Sequence, residues 1–451
     1  MEYFHSVRLY PERCKACVNC IKHCPTEAIR IRGGVAKITE SRCIDCGECI
    51  RHCPNRAKTA ITDTLEDIRQ FQYNIALPAP SLYAQFDPDV PVEAILAGLL
   101  NLGFDDVYEV AEGAEIVSAA VKDYLRRPDI RRPAISSACP AVIRLVQVKF
   151  PELIGHIIPV AAPVEVAARI ARAERSAQLG LAPENIGTWF ITPCPAKMTA
   201  VRQPLGMEKS HVSGAIGISK IYPELLKNLP KVLQNAPPRR ATWAGVGWAI
   251  SGGEVAAVGE VPLPIMVDGI HAVSQMLEQV SLGKLHNVDY IEAQACAGGC
   301  IGGPLTVENR FAAEYAMRQR LRRIADEDRS RGVRPRAKYR EEDVGLAERR
   351  AIEPRPVLRL DEDILRAMDK VELMEETLRR LPGLDCGACG SPNCKALAED
   401  IVQGSASETD CMFKLRERVR DLAHEMFDLA QKLPPSLNKA AEGEGKDPDG
   451  K

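Results

Sequence analysis

Sixteen cysteines dominate the chemistry that this 451-residue sequence can carry, and they fall into four sets of four. Two sets repeat the pattern C-x2-C-x2-C-x3-C-P near the start of the chain. In this spacing, three close cysteines bind one face of a 4Fe-4S cubane, and the fourth binds the neighbouring cluster. We therefore predict two clusters, one held by Cys14, Cys17, Cys20 and Cys53 and the other by Cys43, Cys46, Cys49 and Cys24.

Zinc is the main alternative for these repeats, because C-x2-C pairs also bind zinc. Two complete copies, each closed by a proline (Pro25 and Pro54), favour iron. The segment resembles the bacterial two-cluster ferredoxin. His23 and His52 stand directly before the fourth cysteine of each copy, and we interpret them as surface residues or outer donors rather than ligands.

A third set lies near the end of the chain, in the stretch LPGLDCGACGSPNCKALAEDIVQGSASETDC. Glycines 387 and 390 allow the backbone to approach a cluster closely, so that amides can donate to its sulfurs. The stretch resembles a small 4Fe-4S domain found in redox subunits of anaerobic metabolism. The predicted ligands of this one C-terminal cluster are Cys386, Cys389, Cys394 and Cys411.

The last four cysteines are scattered: Cys139 in SSACP, Cys194 in TPCPAK, and Cys296 and Cys300 in EAQACAGGC. Two cysteines four residues apart face the same way on a helical turn, so we expect a helical turn here, with glycines clearing the space between the thiols. One cubane could take all four sulfurs. The alternative is that Cys139 and Cys194 are inert buried cysteines.

The elements that must position these residues alternate between short apolar runs and helical patterns over residues 65–305, which indicates an α/β domain. Candidate helices are PVEAILAGLLNLG, EIVSAAVKDYLRR, VEVAARIARAERSA and HAVSQMLEQV. Candidate strands are NIALPAP, DDVYEVA, PAISSAC, GTWFITPC, LPIMVDG and DYIEAQAC. Three of them end in a cysteine, and open α/β sheets place their sites beyond the carboxyl ends of strands.

The flanking regions complete the predicted organisation. Between the two ferredoxin-like repeats, AIRIRGGVAKIT predicts a hairpin that turns at its two glycines. We expect five parts: a two-cluster ferredoxin-like α+β domain (1–62), an α/β catalytic domain (63–305), a charged helical extension or linker (306–380), a small, mainly helical 4Fe-4S domain with a final helix (381–432), and a disordered tail (433–451).

Composition excludes several classes of protein. Lys plus Arg number 59 against 61 Asp plus Glu, so no charge excess points to a nucleic acid or an anionic membrane. The start of the chain has no apolar core of a signal peptide, and no run approaches the roughly 18 apolar residues that a membrane span requires. We therefore expect a soluble, cytoplasmic protein that keeps its thiols reduced for metal binding.

The scattered cysteines also carry a family resemblance. SSACP, PCPAK and ACAGGC, together with ALPAPS (76–81) and SGGEVAA (251–257), resemble in sequence and order the catalytic domain of iron-iron hydrogenases. The resemblance implies an H-cluster, which is a 4Fe-4S cubane joined to a two-iron centre with CO and CN ligands. It places the cubane on the four scattered cysteines, Cys300 as the bridging thiolate, Lys197 as a donor to one cyanide, and Pro80 and Ser81 against the other.

Three positions depart from that family. Ala138 stands where fast enzymes have a proton-relay cysteine, Ala200 where a relay glutamate is expected, and Gln294 where a methionine normally contacts the two-iron centre. A methyl group cannot carry a proton, so the usual relay is broken at its first step. With the C-terminal 4Fe-4S domain, this pattern resembles the sensory iron-iron hydrogenases, in the branch without a PAS domain.

Three hypotheses follow from the resemblance. The first is a hydrogenase that splits or forms H2 slowly and serves as a hydrogen or redox sensor, with a ferredoxin or another redox or signalling protein as its partner. The second is a catabolic, ferredoxin-linked hydrogenase with an unusual proton route through Gln294, a lysine or bound water. The third is a non-catalytic iron-sulfur scaffold, which the retention of Lys197 disfavours.

Overall fold

A computed structural model of the chain describes residues 4–230, 236–335, 350–355, 357 and 360–432. These residues form two compact units that divide between residues 358 and 359. The predicted disordered tail (433–451) and part of the predicted charged extension lie outside the described residues.

The described elements alternate between strands and helices along most of the chain. The strands are β1 (Val7–Leu9), β2 (Ile29–Arg32), β3 (Val35–Ile38), β4 (Lys58–Ala60), β5 (Tyr73–Pro78), β6 (Asp106–Val107), β7 (Ala134–Ile135), β8 (Ile186–Thr192), β9 (Gly214–Gly217), β10 (Pro264–Asp268) and β11 (Tyr290–Gln294). The helices of the first unit are α1 (Asn19–Lys22), α2 (Glu48–Arg51), α3 (Pro80–Tyr83), α4 (Val92–Asn101), α5 (Val110–Leu125), α6 (Pro140–Lys149), α7 (Pro163–Leu179), α8 (Pro195–Arg202), α9 (Ile218–Lys227), α10 (Trp243–Gly247), α11 (Gly253–Val258), α12 (Ile270–Ser281) and α13 (Arg310–Arg331). Those of the second unit are α14 (Ile364–Arg380), α15 (Cys394–Val402) and α16 (Met412–Gln431).

The N-terminal segment pairs two antiparallel ribbons with two short helices. β1 pairs with β4, and β2 pairs with β3 around the predicted glycine turn, with Arg32 opposite Val35. The two cysteine repeats adopt the same unusual backbone: Ala16 and its counterpart Asp45, each between the first two cysteines of its repeat, have positive φ. Non-glycine residues rarely take this conformation, and such strain concentrates at functional loops.

A four-stranded parallel sheet in the order β6-β5-β8-β9 forms the centre of the α/β part. Successive side chains of a strand point to opposite faces, and both faces are covered here. Ile75 and Leu77 of β5 join one core with residues of α5 and α7, whereas Ala76 joins another core with residues of α4, α9 and α13. The sheet is therefore the middle of three layers.

A second parallel sheet in the order β10-β11-β7 lies in the same unit. Every residue of β11 is buried, and Ile291 and Ala293 pack with residues of α6 and α12. The predicted fold class is confirmed: a ferredoxin-like segment precedes an α/β domain, and a helical region follows. The prediction missed β9, and in DDVYEVA only Asp106–Val107 is a strand, because α5 begins at Val110.

The ferredoxin-like segment packs tightly against the α/β part. The Ser6 hydroxyl lies 2.8 Å from the Pro195 carbonyl oxygen, to which it donates. Gly47, directly after Cys46, approaches so closely that a Cβ there would lie 2.4 Å from a side-chain carbon of Pro304. The second cysteine repeat is thus fixed against the loops that carry the scattered cysteines.

The C-terminal unit is a short helical domain followed by a longer helix. α14 and α15 enclose a small core that includes Leu397, Cys394 and Cys411. Asn393 caps α15 by accepting from the Ala396 amide at 2.7 Å. Within the described part of the whole chain, no helix combines the length and apolarity needed to cross a membrane.

The close approach of Gly47 predicts a position-specific cost. Gly47→Ala places a methyl against Pro304 in addition to its backbone strain at φ +78°, and we expect a loss of about 2–4 kcal/mol in the free energy of unfolding. Gly34→Ala is the matched control, because Gly34 has the same φ but no neighbour within 4 Å. Thermal unfolding followed by circular dichroism should show the larger fall in Tm for Gly47→Ala; equal falls would contradict the close contact.

Candidate active site

Three chain segments bring the scattered cysteines together beyond the carboxyl ends of strands. Cys194 follows β8 and starts α8 through Pro195, and Cys139 follows β7 and starts α6 through Pro140. Proline at the first helical position is favoured because its missing amide hydrogen is not needed there. Both cysteines therefore stand at helix N-termini, where the backbone dipole stabilises negative charge.

The third segment departs from the prediction. Residues 296–299 form a turn, not the expected helical turn, because Gly298 and Gly299 take positive φ values of 80° and 90°. A Cβ at Gly299 would lie 2.5 Å from the Gln294 side-chain oxygen, so only glycine fits. The thiols of Cys296 and Cys300 nevertheless reach the same cavity.

This cavity, of about 70 Å³, gathers almost every residue that the sequence analysis assigned to the H-cluster. One residue of the N-terminal repeats, Cys46, also lines it. The predicted site residues along its walls are Pro80, Ser81, Ala138, Cys139, Cys194, Lys197, Gln294, Cys296 and Cys300. Four distant stretches of sequence thus meet at one place.

Cys194, Cys296 and Cys300 resist ionisation in this buried setting. Burial raises the pKa of Cys296 to about 12 and raises the pKa values of Cys194 and Cys300, and neighbouring thiolates add repulsion. Burial alone would lower the pKa of Lys197, but the thiolates, Cys300 most strongly, raise it above its ordinary value. Because metal binding requires thiolates, a cationic cluster would relieve their mutual repulsion.

Two buried polar atoms that face this cavity have no hydrogen-bond partner among the described residues: the Ser81 hydroxyl oxygen and the Gln294 side-chain oxygen. Leaving buried polar groups unpaired costs free energy, so each such group needs an explanation. Among the described residues, Lys197 Nζ has one hydrogen-bond contact, a long one of 3.4 Å to the Ala138 carbonyl oxygen. Four thiols, one ammonium and two unpaired polar atoms fit the predicted group, which carries anionic ligands.

A second cavity of about 60 Å³ borders the first, with Ala138 and Lys197 common to both. Ala200, the other position that lacks a relay residue, also lines this second cavity. The Ser137 hydroxyl there donates its proton to the Val160 carbonyl oxygen in a hydrogen bond of 2.6 Å. Ala138 and Ala200 present only methyl groups to this cavity, and the buried Glu165 carboxylate on its wall accepts from the Ser210 hydroxyl at 2.6 Å and from the His211 amide at 2.7 Å.

A buried acid pair behind Gln294 was not predicted from the sequence. The Glu254 carboxylate accepts hydrogen bonds from Ser136 and Tyr290, and Glu292 accepts from Gln294 Nε2 at 3.3 Å. Burial raises the pKa of Glu254 to about 7, and burial together with the charge of Glu254 raises that of Glu292 to about 8. A glutamate inside an otherwise apolar buried strand was the available signal.

Arg51 of α2 was also missed, since it belongs to the ferredoxin-like repeat. Its guanidinium donates to the Glu48 carboxylate and to the Gly302 carbonyl oxygen, and it forms a side-chain hydrogen bond with Cys296. Burial lowers the pKa of Arg51, but the charges of Cys296 and Glu48 raise it by more. One cation thus joins the second repeat to the scattered cysteines.

The N-terminal cysteines lie in the two predicted groups. Burial raises the pKa of Cys20 to about 11, with added repulsion from Cys17, Cys14 and Cys53, which are the other members of its predicted set. The thiols of Cys43, Cys46 and Cys49 likewise interact with Cys24. Backbone amides of residues 28 and 57 donate to the sulfurs of Cys24 and Cys53, both at 3.2 Å.

Two histidines of this segment stack on each other. The rings of His23 and His52 have centroids 3.6 Å apart, and His52 also contacts the Glu48 carboxylate at 3.2 Å. His23 Nδ1 lies 2.8 Å from the Asn19 carbonyl oxygen. Their interpretation as surface residues or outer donors stays a prediction.

The C-terminal set lies in its own unit. Burial raises the pKa of Cys389, and the charges of Cys386 and Cys411 raise it further. These three thiols therefore interact. Cys394 begins α15, and its amide donates to the Asp385 carboxylate at 2.7 Å. Gly387 and Gly390 have positive φ, as the predicted close wrapping of a cluster requires. All sixteen cysteines are free of disulfides.

Family comparisons match three parts of the chain. Residues 72–261 and 249–304 match the C-terminal domain of the iron only hydrogenase large subunit, residues 6–54 match a 4Fe-4S dicluster domain, and residues 381–413 match an Fe-S cluster family. The first match alone covers just over half of the chain.

Individual relatives are distant. An NADP-reducing hydrogenase subunit (HndD) of Solidesulfovibrio fructosivorans is 22% identical over 349 residues, which cover 64% of this chain and 55% of the relative. A periplasmic iron hydrogenase large subunit of Nitratidesulfovibrio vulgaris is 29% identical over 212 residues, which cover 43% of this chain and 50% of the relative. The chain therefore spans about half the length of these relatives.

Among solved structures, an iron-iron hydrogenase of Chlamydomonas reinhardtii is similar. It is 13% identical, with a TM-score of 0.46, and the match covers 65% of this chain and 98% of that chain.

The position of Arg51 generates a prediction for the cluster that the four scattered cysteines are predicted to hold. Arg51→Met removes a positive charge and a hydrogen bond from Cys296, so the reduced cluster loses stabilisation. The Arg51 side chain is 29% exposed, so solvent screens its charge. We therefore expect the reduction potential to fall by only about 30 mV, which is less than the loss of a fully buried, charged hydrogen bond would cause. A redox titration followed by electron paramagnetic resonance measures this shift.

Two variants control this measurement. Arg51→Lys keeps the positive charge but lacks the planar guanidinium with its fixed set of donors, so it should lower the reduction potential by less. Arg69→Met removes an exposed arginine from the 3-10 helix Glu66–Gln70 and should leave the potential unchanged. A potential that is the same in Arg51→Met and in the original chain would contradict the proposed influence of Arg51 on the cluster.

Proposed function

The chain belongs to the family of iron-only hydrogenase large subunits, and on that basis we propose that it cleaves or forms H2 slowly and passes electrons through 4Fe-4S clusters, as a hydrogen or redox sensor. One observation carries the proposal: the cavity that gathers four cysteines, Lys197, Ser81 and Gln294 is bordered by Ala138 instead of a proton carrier. Its proposed partners are H2 and protons as substrates and a ferredoxin or another redox or signalling protein.

The residues that would hold the H-cluster have distinct tasks. Cys139, Cys194, Cys296 and Cys300 would bind the cubane, and the Cys300 thiolate would also bridge to the two-iron centre. When bound, that centre supplies the site at which H2 is split heterolytically or formed. Every other contribution comes from the protein around it.

Lys197 would act as a fixed cation. Its pKa is raised, so the ammonium keeps its proton at neutral pH and donates hydrogen bonds to an anionic ligand without serving as an acid. Ser81 can donate its hydroxyl proton on another wall of the cavity, next to Pro80. These donors favour an anionic group over water, and they support the hydrogenase proposal over a scaffold without the two-iron centre.

Proton supply is the step that this chain handles differently. Ala138 and Ala200 cannot transfer protons. The Glu165 carboxylate on the wall of the second cavity already accepts from the Ser210 hydroxyl and the His211 amide, and the acid pair Glu254 and Glu292 lies behind Gln294. Positioned general acids typically contribute about 10²–10⁴-fold to a rate, so their absence slows turnover. Slow turnover suits a sensor, because the redox state of the clusters then persists long enough for a partner to respond.

Electrons would leave through the N-terminal repeats. Cys46 lines the cavity, and Arg51 of the same repeat contacts Cys296, so the second predicted cluster borders the predicted cubane. The first predicted cluster adjoins the second, since Cys20 and Cys49 share one small core. Two further 4Fe-4S clusters would thus extend the route from the cubane toward a partner.

Infrared spectroscopy of the chain matured with the two-iron centre tests this proposal. We expect CO and CN stretching bands that change under H2, together with iron and acid-labile sulfide contents that match four 4Fe-4S clusters plus the two-iron centre. If cubane iron is present but these bands are absent, the hydrogenase proposal fails and the non-catalytic scaffold remains. H2 turnover as fast as in catabolic enzymes would refute the sensory role and favour the ferredoxin-linked alternative.

Restoring the missing relay should raise the rate. The double variant Ala138→Cys plus Ala200→Glu adds two proton carriers along the second cavity, and we expect H2 turnover to rise by about tenfold or more. Each single variant is a control and should give a smaller gain, because it supplies only one of the two missing carriers. Unchanged turnover in the double variant, with its cluster spectra intact, would show that proton transfer does not limit the rate.

A further inference from the structure

The last described helix, α16, exposes an apolar stripe. It runs for 20 residues, and none of its residues is buried. Six large apolar side chains, 38–70% exposed, recur at alternating intervals of three and four residues. They are Met412, Leu415, Val419, Leu422, Met426 and Leu429.

This spacing differs from that of an ordinary surface helix. A repeat of 3.5 residues corresponds to the a and d positions of a coiled coil, whereas a helix that packs onto a globular core shows a wider apolar face. Met412, Val419 and Met426 occupy a positions, and Leu415, Leu422 and Leu429 occupy d positions. Three consecutive heptads therefore present a complete seam for one partner helix.

We propose that α16 pairs with α16 of a second copy of the chain as an antiparallel, two-stranded coiled coil. In this register Met412 packs against Leu429 of the second copy, Leu415 against its Met426, and Val419 against its Leu422. The two-fold axis repeats each contact, so all six seam residues of both copies are covered.

Charge favours this orientation. Arg418 and Glu425 are the charged residues at successive g positions, and g faces g in an antiparallel pair, so Arg418 of each copy meets Glu425 of the other. In a parallel pair, g faces e, where Ala423 and Ala430 stand and no ion pair forms. Within one helix, Arg418 and Glu425 are 3.9 Å apart and more than half exposed, so both remain available to a second copy.

The seam also sets the strength of the pair. A 20-residue helix is about 30 Å long, and such a contact is at the small end of specific interfaces. We therefore expect a dissociation constant in the micromolar range, about 1–100 µM. The pairing is independent of the proposed hydrogenase chemistry.

Sedimentation velocity of the full chain over about 1–200 µM tests the pairing. We expect dimers at the upper concentrations, and Leu422→Asp should keep the chain monomeric throughout, because it puts a carboxylate into the seam. Phe427→Asp is the matched control: Phe427 is 62% exposed on the same helix but lies at a b position outside the seam, so dimers should persist. A chain that stays monomeric at every concentration overturns the proposal.

Charge exchange tests the orientation. Arg418→Glu and Glu425→Arg should each weaken the dimer about tenfold, and the double exchange should restore it to within about threefold, since the opposite pairs re-form. Arg420→Glu, at an outward b position, should have no effect. Dimers that are insensitive to the single exchanges, or not restored by the double exchange, overturn the antiparallel arrangement; unchanged cluster spectra show that each variant is folded.

Discussion

Placing clustered thiolates away from water is the constraint on which the rest of this structure depends. Each sulfur must lose its proton to bind iron, yet burial favours the neutral thiol and raises the pKa of Cys20 to about 11 and that of Cys296 to about 12. The protein opposes this cost with positive charge near the sulfurs, from Lys197 and Arg51, and with helix N-termini. Iron supplies the remaining countercharge when the clusters are present.

The same constraint shapes the backbone. Loops that wrap a compact cluster must turn within a few residues and keep side chains out of its space, which explains the positive φ values of Gly298 and Gly299. In the ferredoxin-like repeats, Ala16 and Asp45 adopt the left-handed conformation at equivalent positions without being glycines. At Asp45 the surrounding contacts offset this strain, since its carboxylate accepts from the Val7 amide at 3.1 Å.

The sequence could predict what is local in the chain. Spacing alone grouped the cysteines of the repeats and located the hairpin, and the apolar pattern gave the α/β class. The turn at residues 296–299 was predicted wrongly, because four-residue spacing also fits a glycine turn and the φ values of glycine are not encoded by periodicity. Strand β9 was missed because its four residues, GAIG, are too few and too uniform to be distinguished from a loop.

Residues that act across long sequence distances could not be predicted. Arg51 reaches Cys296 only because the ferredoxin-like segment packs on the α/β part, and no local sequence pattern indicates that contact.

Holding a cofactor and supplying it with protons are separable tasks, and this site divides them clearly. Binding depends on groups that contact the cofactor in every state, and the two residues proposed for this task, Lys197 and Ser81, both line the cavity. The rate depends on groups that act mainly in the transition state, such as proton carriers. At the position where such a carrier is expected, this chain has Ala138, whose methyl group cannot transfer a proton. A protein with the first set and without the second would bind and sense its substrate without consuming it quickly.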